Sequence, residues 1–186
     1  MNEEQRNTLM QKFFEIFTHH KEESDIVRIL QTISEDQGFF EAPFSRARND
    51  KFTYDGSLSV ACMEGYKALR FLEKIAIEIY GGDPFTNRAV LCFLIAMTGR
   101  WKDLSTGDYV YRVEGFGTTK CSAITNGVVN ANILGIKLAS SEVLAVSKHN
   151  RSLFELFGEY EGFCREWWVL NQIMAYLHVA NRGLTP

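Results

Sequence analysis

Cationic side chains beside aromatic ones are the residues of this sequence that are best suited to ligand chemistry. Arg and Lys pair with phosphate groups, and Arg can hold a phosphate through two parallel hydrogen bonds. Tyr and Trp offer ring faces on which a nucleobase stacks. The candidate ligand-binding residues are Arg46, Arg48, Lys51, Tyr54, Arg100, Trp101, Tyr109, Tyr111, Lys120, His149, Asn150 and Arg151. Each of them alone also fits a solvated charge or an ordinary hairpin aromatic, so only their grouping favours a ligand.

Metal chemistry has little support in the histidines and cysteines. The sequence contains four of each, namely His19, His20, His149 and His178, and Cys62, Cys92, Cys121 and Cys164. No Cys-x-x-Cys pair occurs, so the spacing of a zinc knuckle is absent and no disulfide framework is indicated. The cysteines are predicted to be buried free thiols of a protein in a reducing compartment. The adjacent His19 and His20 are predicted to form a solvated helix end rather than a metal site.

The bulk composition narrows the classes of partner. A length of 186 residues with 46% apolar residues suits one domain with a sizeable core. The formal net charge of -3 provides no basic field, so duplex nucleic acid is not an expected partner. The N-terminal stretch is acidic and polar, unlike a signal peptide, and no apolar run approaches the roughly 20 residues of a membrane span. We therefore expect a cytoplasmic protein without membrane attachment and without a cofactor.

Apolar residues at helical spacing define most of the elements that must position these side chains. Helices are predicted over residues 3–20, 24–35, 58–80, 122–134, 140–148 and 162–181, with a shorter one that follows Thr86 and contains Val90, Leu91, Leu94 and Met97. That shorter helix is apolar nearly all round, so we expect it to be central. Ser24 is a candidate N-cap, Gly38 is predicted to end the second helix, and residues 39–56 are predicted to form a long ordered loop.

One stretch departs from the helical pattern. Tyr109, Tyr111 and Val113 follow a period of two, which predicts a strand over 108–113 as half of a β-hairpin. The sequence thus predicts an all-α domain with one small β-hairpin. Residues 1–37 are interpreted as an N-terminal helical extension of a core formed by 38–186, and the acidic first helix is a candidate surface for homo-oligomerisation.

Five stretches, in the same order along the chain, resemble a family of phage and prophage HD-domain proteins, small predicted metal phosphohydrolases. They are the entry segment at 39–69, the apolar helix VLCFLIAMTGRW at 90–101, the hairpin YVYRVEGFG at 109–117, the helix IKLASSEVLAVSKHN at 136–150, and LHVAN at 177–181, where the family has Leu-His-Ala-Ala-Asp. The resemblance implies an HD-domain-like helical bundle. It also implies a pocket formed by the entry loop, the hairpin corner and the late helices.

An HD site uses imidazoles and carboxylates to hold one or two divalent metals, which activate water and polarise a phosphoryl oxygen. The resemblance implies that these ligands are lost from this chain. Lys51 stands at the family's entry-loop His, and Ala61 stands at a helix-face His. Phe93 and Leu94 stand at the defining His-Asp pair, and Met97 stands at the Lys that follows it.

Two polar positions of the family's site are retained in part. His149 matches the late His, and Asn181 stands at the last Asp, which adds Asn181 to the candidate ligand-binding residues. An Asn cannot supply a carboxylate, and a single His does not hold a catalytic metal. We therefore expect no bound metal and no catalytic residues.

A domain that keeps such a pocket without its metal could bind a substrate without converting it. The leading hypothesis is a non-catalytic nucleotide-binding protein of phage type. It would act as a sponge that sequesters a host immune signal, such as a cyclic dinucleotide or an ADP-ribose derivative. Two alternatives stay open: a phosphohydrolase that uses His149 in a rearranged or metal-free site, and a protein-interaction module that inhibits a host factor.

Overall fold

The structure is a computed structural model, and it describes residues 1–20, 23–35, 38–45, 50–80, 87–101, 123–148 and 165–182. The helices are α1 (Glu3–Ile16), α2 (Ser24–Glu35), α3 (Gly38–Glu41), α4 (Ser57–Tyr80), α5 (Asn87–Thr98), α6 (Ala123–Ile133), α7 (Ser140–Lys148) and α8 (Arg165–Arg182), with a 3-10 turn at Thr18–His20. The part of the chain described here is therefore all helix and connection, and the all-α prediction is confirmed for it. The hairpin expected over 108–113 lies outside the described residues.

The N-terminal region departs from the sequence prediction at three helix boundaries. Helix α1 ends at Ile16, and the 3-10 turn replaces the last part of the helix predicted to reach residue 20. Ser24 is the first helical residue rather than the cap, because the amide of Val27 already donates to the carbonyl of Glu23 at 2.9 Å. Gly38 does not end a helical unit but begins α3, whose Phe39 and Phe40 are both completely buried. A helical turn there directs two adjacent aromatic side chains into the core.

Helix α5 is the centre of the molecule, as its apolar composition predicts. Every residue from Ala89 to Thr98 is buried, and the helix packs against α2, α4, α6, α7 and α8. Gly65 lets α4 approach closely, since a Cβ at that position would lie 2.5 Å from the Phe93 ring. Phe93 and Leu94 have no exposed surface, so the prediction that both are buried is confirmed.

The first two helices belong to the same hydrophobic core as the rest of the chain. Phe13 of α1 packs its ring 5.6 Å from Phe39 and 5.4 Å from Phe40, measured between ring centroids. Ile26 and Ile29 of α2 are also buried in this core. Cys62 and Cys92 are buried and form no disulfide, which confirms the prediction for these two cysteines.

An ion network ties α2 and α7 to the first turn of α5. Arg88 donates to both carboxylate oxygens of Glu142 at 2.5 Å, to Asp25 at 3.2 Å and to the carbonyl of Lys137 at 3.0 Å. Burial alone would raise the pKa of Glu142, but hydrogen bonds from Arg88 and from the Ala139 amide hold it below its ordinary value. The carboxylate is therefore charged and fully engaged in joining these helices.

No helix among the described residues combines the length and the apolar content that a membrane span requires.

Candidate functional site

Five of the candidate ligand-binding residues lie in the described part of the chain, and they fall into two places. Lys51, Arg100 and Asn181 meet where α5 and α8 end, whereas Tyr54 faces the N-terminal helix. Trp101, directly after Arg100, is half-buried against the core. Arg46, Arg48, Tyr109, Tyr111, Lys120, His149, Asn150 and Arg151 lie outside the described residues.

Asn181, at the end of α8, fastens the segment that precedes α4. Its side-chain oxygen accepts a hydrogen bond from the Phe52 amide at 2.8 Å, and its side-chain nitrogen donates to Asp50 at 2.7 Å. The carbonyl of Asn181 accepts from the Lys51 amide at 2.6 Å. Both ends of the buried amide side chain are thus used by the protein itself, and Asn181 positions the loop rather than presenting a free group to a ligand.

A second contact closes the other side of this loop. The hydroxyl of Ser45 donates to the same carboxylate of Asp50 that accepts from Asn181. In the sequence, Arg46 and Arg48 stand between these two joined residues. We call Ser45, Asp50, Phe52 and Asn181 the loop clasp. It brings the chain on both sides of residues 46–49 to the end of α8.

Arg100 places a buried guanidinium next to this clasp. It follows the last turn of α5, and its amide donates to the Met97 carbonyl at 3.0 Å. Its guanidinium carbon lies 5.0 Å from the centroid of the Phe44 ring, and the residue is only 7% exposed. A cation over a ring face in a desolvated position is held by the ring's quadrupole. Arg100 is therefore a fixed positive charge.

His178 adds a neutral imidazole to the cations around Phe44. Its ring lies 6.3 Å from the Phe44 ring, and Phe44 in turn stands edge-on to Phe52 at 6.0 Å. Burial lowers the pKa of His178, the charges of Arg100 and Arg182 lower it further, and Asp50 acts in the opposite direction. The imidazole is thus held neutral by its burial and by the surrounding cations, so it can both donate and accept hydrogen bonds. We call Arg100, His178, Arg182 and Lys51 the cationic corner.

The side chains of Lys51 and Tyr54 are both exposed to solvent. The backbone of Lys51 is fixed by Asn181, and its side chain is exposed. Tyr54, at 52% exposure, lines a depression of 540 Å³ together with Met1, Lys12 and Asp55. The structure therefore brings the backbone of Lys51, but not that of Tyr54, to the end of α8.

Sequence reasoning gave no role to three members of this arrangement. They are Phe44, His178 and Arg182, and the last two could have been found from their spacing. His178, Asn181 and Arg182 stand three and four residues apart on one helix, so they share a face of α8. Phe44 carries no comparable signal, because an aromatic after a proline is equally typical of a core residue.

The prediction that His20 lies at a solvated helix end is wrong, because this side chain is 5% exposed and fully hydrogen-bonded. Its Nδ1 donates to Asn87 Oδ1 at 3.0 Å, since that oxygen can only accept, and its Nε2 then accepts from the Tyr66 hydroxyl at 2.9 Å. The side-chain nitrogen of Asn87 in turn donates a hydrogen bond to the carboxylate of Glu23. Burial lowers the pKa of His20, and this outweighs the hydrogen bond to Asn87, which raises it. We call Glu23, Asn87, His20 and Tyr66 the buried relay.

Metal ligands do not converge anywhere in the part of the chain that the structure describes. No group of three or more His, Cys, Asp or Glu residues there is arranged to hold an ion. Comparison with known proteins gives no further guide: no family model matches this chain, and no curated protein or solved structure is similar to it. The proposed function therefore rests on the chemistry of the residues.

Proposed function

We propose that this protein binds a phosphate-bearing nucleotide at the cationic corner and does not hydrolyse it. The observation that carries the proposal is the guanidinium of Arg100, buried against Phe44 and accompanied by His178 and Arg182. A guanidinium held in place over a ring is preorganised, and sites that stabilise anions use preorganised charges. A phosphate group is the anion whose geometry suits an arginine accompanied by a neutral imidazole.

The loop clasp supports a nucleotide rather than free phosphate. It holds Lys51 at the corner, and the sequence carries Arg46 and Arg48 between its two joined residues. Phe44 supplies an aromatic face for Arg100, Phe52 stands edge-on to Phe44, and Trp101 follows Arg100 in the sequence. Cations for the phosphates and rings for the base are the two components that nucleotide recognition needs.

The residue types at the centre of α5 support binding without turnover. In the resemblance to HD-domain proteins, Phe93 and Leu94 stand at the metal-binding His-Asp pair, and both side chains are completely buried. Apolar side chains supply no ligand for a metal, so the family's route to an activated water is lost. We accordingly favour a phage-type sponge that sequesters a host signalling nucleotide, such as a cyclic dinucleotide or an ADP-ribose derivative.

A protein-interaction module is the second candidate, and an exposed apolar surface favours it. Phe71 on α4 is 63% exposed and Tyr176 on α8 is 48% exposed. Such neighbouring apolar side chains on adjacent helices are typical of a docking surface. This candidate predicts that a host protein, and no nucleotide, accompanies the purified chain.

Calorimetric titration with a panel of cyclic dinucleotides and ADP-ribose derivatives tests the nucleotide proposal. Arg182→Gln removes an exposed cation of the corner and is expected to weaken binding by about 10-fold or more, since one charge-assisted contact contributes about 1.5–3 kcal/mol. Lys12→Gln, which removes an exposed cation on α1, is the matched control and is expected to bind as the native chain does. Heating the complex should release the ligand with an unchanged mass.

Two results would contradict the proposal. Accumulation of a hydrolysed product over many turnovers would restore the phosphohydrolase alternative. Absence of binding across the whole panel, with a host protein retained by the native chain, would favour the interaction module.

A further inference from the structure

Three charged side chains from three parts of the chain act on the ring of His178. Arg182 stands one turn further along α8, Arg100 follows the last turn of α5, and Asp50 precedes α4. Helices α4 and α7 also pack against α8, but none of their described side chains adds a charge that shifts the pKa of His178. Two positive charges and one negative charge therefore surround this imidazole.

His178 lies where a bound anion can reach it. Its ring and the Arg100 guanidinium both lie against the Phe44 ring, at 6.3 Å between ring centroids and at 5.0 Å from the guanidinium carbon to the centroid. The side chain is half-buried, and its ring nitrogens make no hydrogen bond to the described residues. His20 differs in both respects, since it is buried and both of its nitrogens are hydrogen-bonded. An anion that binds between Arg100 and Arg182 therefore meets an imidazole with unused nitrogens.

The free site disfavours the protonated form of His178. Burial lowers its pKa most, and the charges of Arg100 and Arg182 lower it further, whereas Asp50 raises it. Protonation of the imidazole would put a third cation beside two arginines, with a single carboxylate to balance them. The ring therefore stays neutral at neutral pH while the site is empty.

A bound oxyanion reverses this balance of charges. Its negative charge offsets the two guanidinium groups and attracts the proton, and an opposite charge within about 4–6 Å shifts a pKa by about 1–3 units. A neutral imidazole offers an oxyanion one N–H donor, whereas an imidazolium has two donors and a full positive charge. The protonated ring is therefore the better partner for the ligand.

We propose that binding of an anion at the cationic corner is coupled to the uptake of one proton by His178, so that the site binds its ligand more tightly in acid. The proton comes from the solvent and binds to the unprotonated ring nitrogen, and no other bond changes. This regulation rests on the proposed nucleotide site, where a phosphate group is the anion. It makes the protein hold a nucleotide more strongly in mildly acidic surroundings than at higher pH.

The pH range of the coupling follows from two pKa values of His178. The pKa in the free chain lies below its ordinary value, and the anion raises it in the complex. Between these two values the complex holds one proton more than the free chain, so the affinity increases by about 10-fold for each unit of falling pH. Above both values the imidazole is neutral with and without the anion, and the affinity is constant.

Inorganic sulfate tests the coupling, because it is an oxyanion that takes up no proton in this range. NMR titration of the His178 ring protons in the full-length chain, with sulfate or chloride at equal ionic strength, should give a pKa about 1 unit higher in sulfate. The affinity for sulfate should accordingly increase about 10-fold between about pH 7.5 and about pH 5.5.

Two variants separate His178 from other titrating groups. His178→Gln keeps a hydrogen-bonding side chain that does not titrate, and its affinity for sulfate should be equal at the two pH values. His19→Gln removes an exposed histidine of the 3-10 turn and should keep the native pH dependence. Circular dichroism at both pH values confirms that each chain is folded.

Different results would contradict the coupling and the proposed function. An unchanged pKa of His178 in sulfate, or a pH dependence of sulfate binding that persists in His178→Gln, would overturn the coupling. Nucleotides that bind equally tightly at both pH values would also overturn it, but the proposed function would stand. Proton uptake with sulfate, without binding of any nucleotide of the panel, would support the coupling and overturn the proposed function.

Discussion

The buried relay and the cationic corner each contain a histidine with a lowered pKa, buried in the case of His20 and half-buried in the case of His178, yet they differ in what surrounds the imidazole. Both nitrogens of His20 are hydrogen-bonded, to Asn87 and to Tyr66. Around His178, the described residues supply rings and charges, and none of them hydrogen-bonds to its nitrogens. A histidine whose nitrogens are both hydrogen-bonded within the fold stabilises the protein. A histidine that faces charges and keeps its nitrogens available is suited to a ligand.

Helix α5 links the two regions, and its centre is where the largest effect of a substitution is expected. Asn87 in its first turn belongs to the buried relay, and Arg100 after its last turn belongs to the cationic corner. Leu94→Asp would bury a carboxylate without a partner and should lower the free energy of unfolding by several kcal/mol, about 4 or more. Leu144→Asp, at a position that is 37% exposed, should change it by less than about 1 kcal/mol. Equal midpoints in urea denaturation for the two variants would show that position 94 is not central.

Substitution of each histidine should show which region stabilises the fold and which region binds the ligand. His20→Leu leaves the buried Tyr66 hydroxyl and the half-buried Asn87 Oδ1 without their partner, so a loss of about 2–4 kcal/mol in the free energy of unfolding is expected. His178→Leu leaves no hydrogen-bonding group unpaired among the described residues, and a loss below about 1 kcal/mol is expected. Nucleotide binding should show the reverse order, with the larger effect for His178→Leu. A larger stability loss at His178 than at His20 would reverse this assignment.

The contribution of the loop clasp to stability should depend on the charge of the side chain at position 181. Asn181→Asp keeps the acceptor for the Phe52 amide but sets a second carboxylate against Asp50, which should lower the free energy of unfolding by about 1–3 kcal/mol. Protonation of the carboxyl introduced at position 181 removes the repulsion, so the native chain and the variant should approach each other in stability as the pH falls from 7. A parallel pair of stability curves from pH 7 to 4 would contradict this account of the clasp.

Both histidines should make the protein less stable in mild acid, but only His178 should respond to the loss of Arg182. Their pKa values in the folded protein lie below the ordinary value of 6.5. The unfolded chain therefore binds more protons as the pH falls below about 6.5, and stability is lost as the pH falls through the folded pKa values. Burial is the largest cause at both sites, and cations add to it at both, Arg70 at His20 and Arg100 and Arg182 at His178. Arg182→Gln should therefore raise the pKa of His178 and leave that of His20 unchanged, which NMR titration of the ring protons measures.

The helical elements were predictable because apolar residues repeat at helical spacing. The central place of α5 follows from its nearly continuous apolar composition, which includes Val90, Leu91 and Leu94. The burial of His20 was not predictable, because a polar residue after a helix is ordinarily solvated. Its partners Tyr66 and Asn87 stand 46 and 67 residues away. The same limit applies to Asn181, whose clasp with Asp50 spans 131 residues. Contacts between distant polar residues leave no periodic pattern in a sequence.

The hydrogen bond between Asp50 and Asn181 affects the order in which the parts of the chain fold. The ribosome adds Asn181 131 residues after Asp50, so the loop before α4 stays unfastened while those residues are made. The Phe13, Phe39 and Phe40 rings, which stand close together in the chain, can pack long before that. The aromatic centre of the N-terminal half should therefore gain protection from proteolysis early in refolding, and the segment at 50–52 should gain it last.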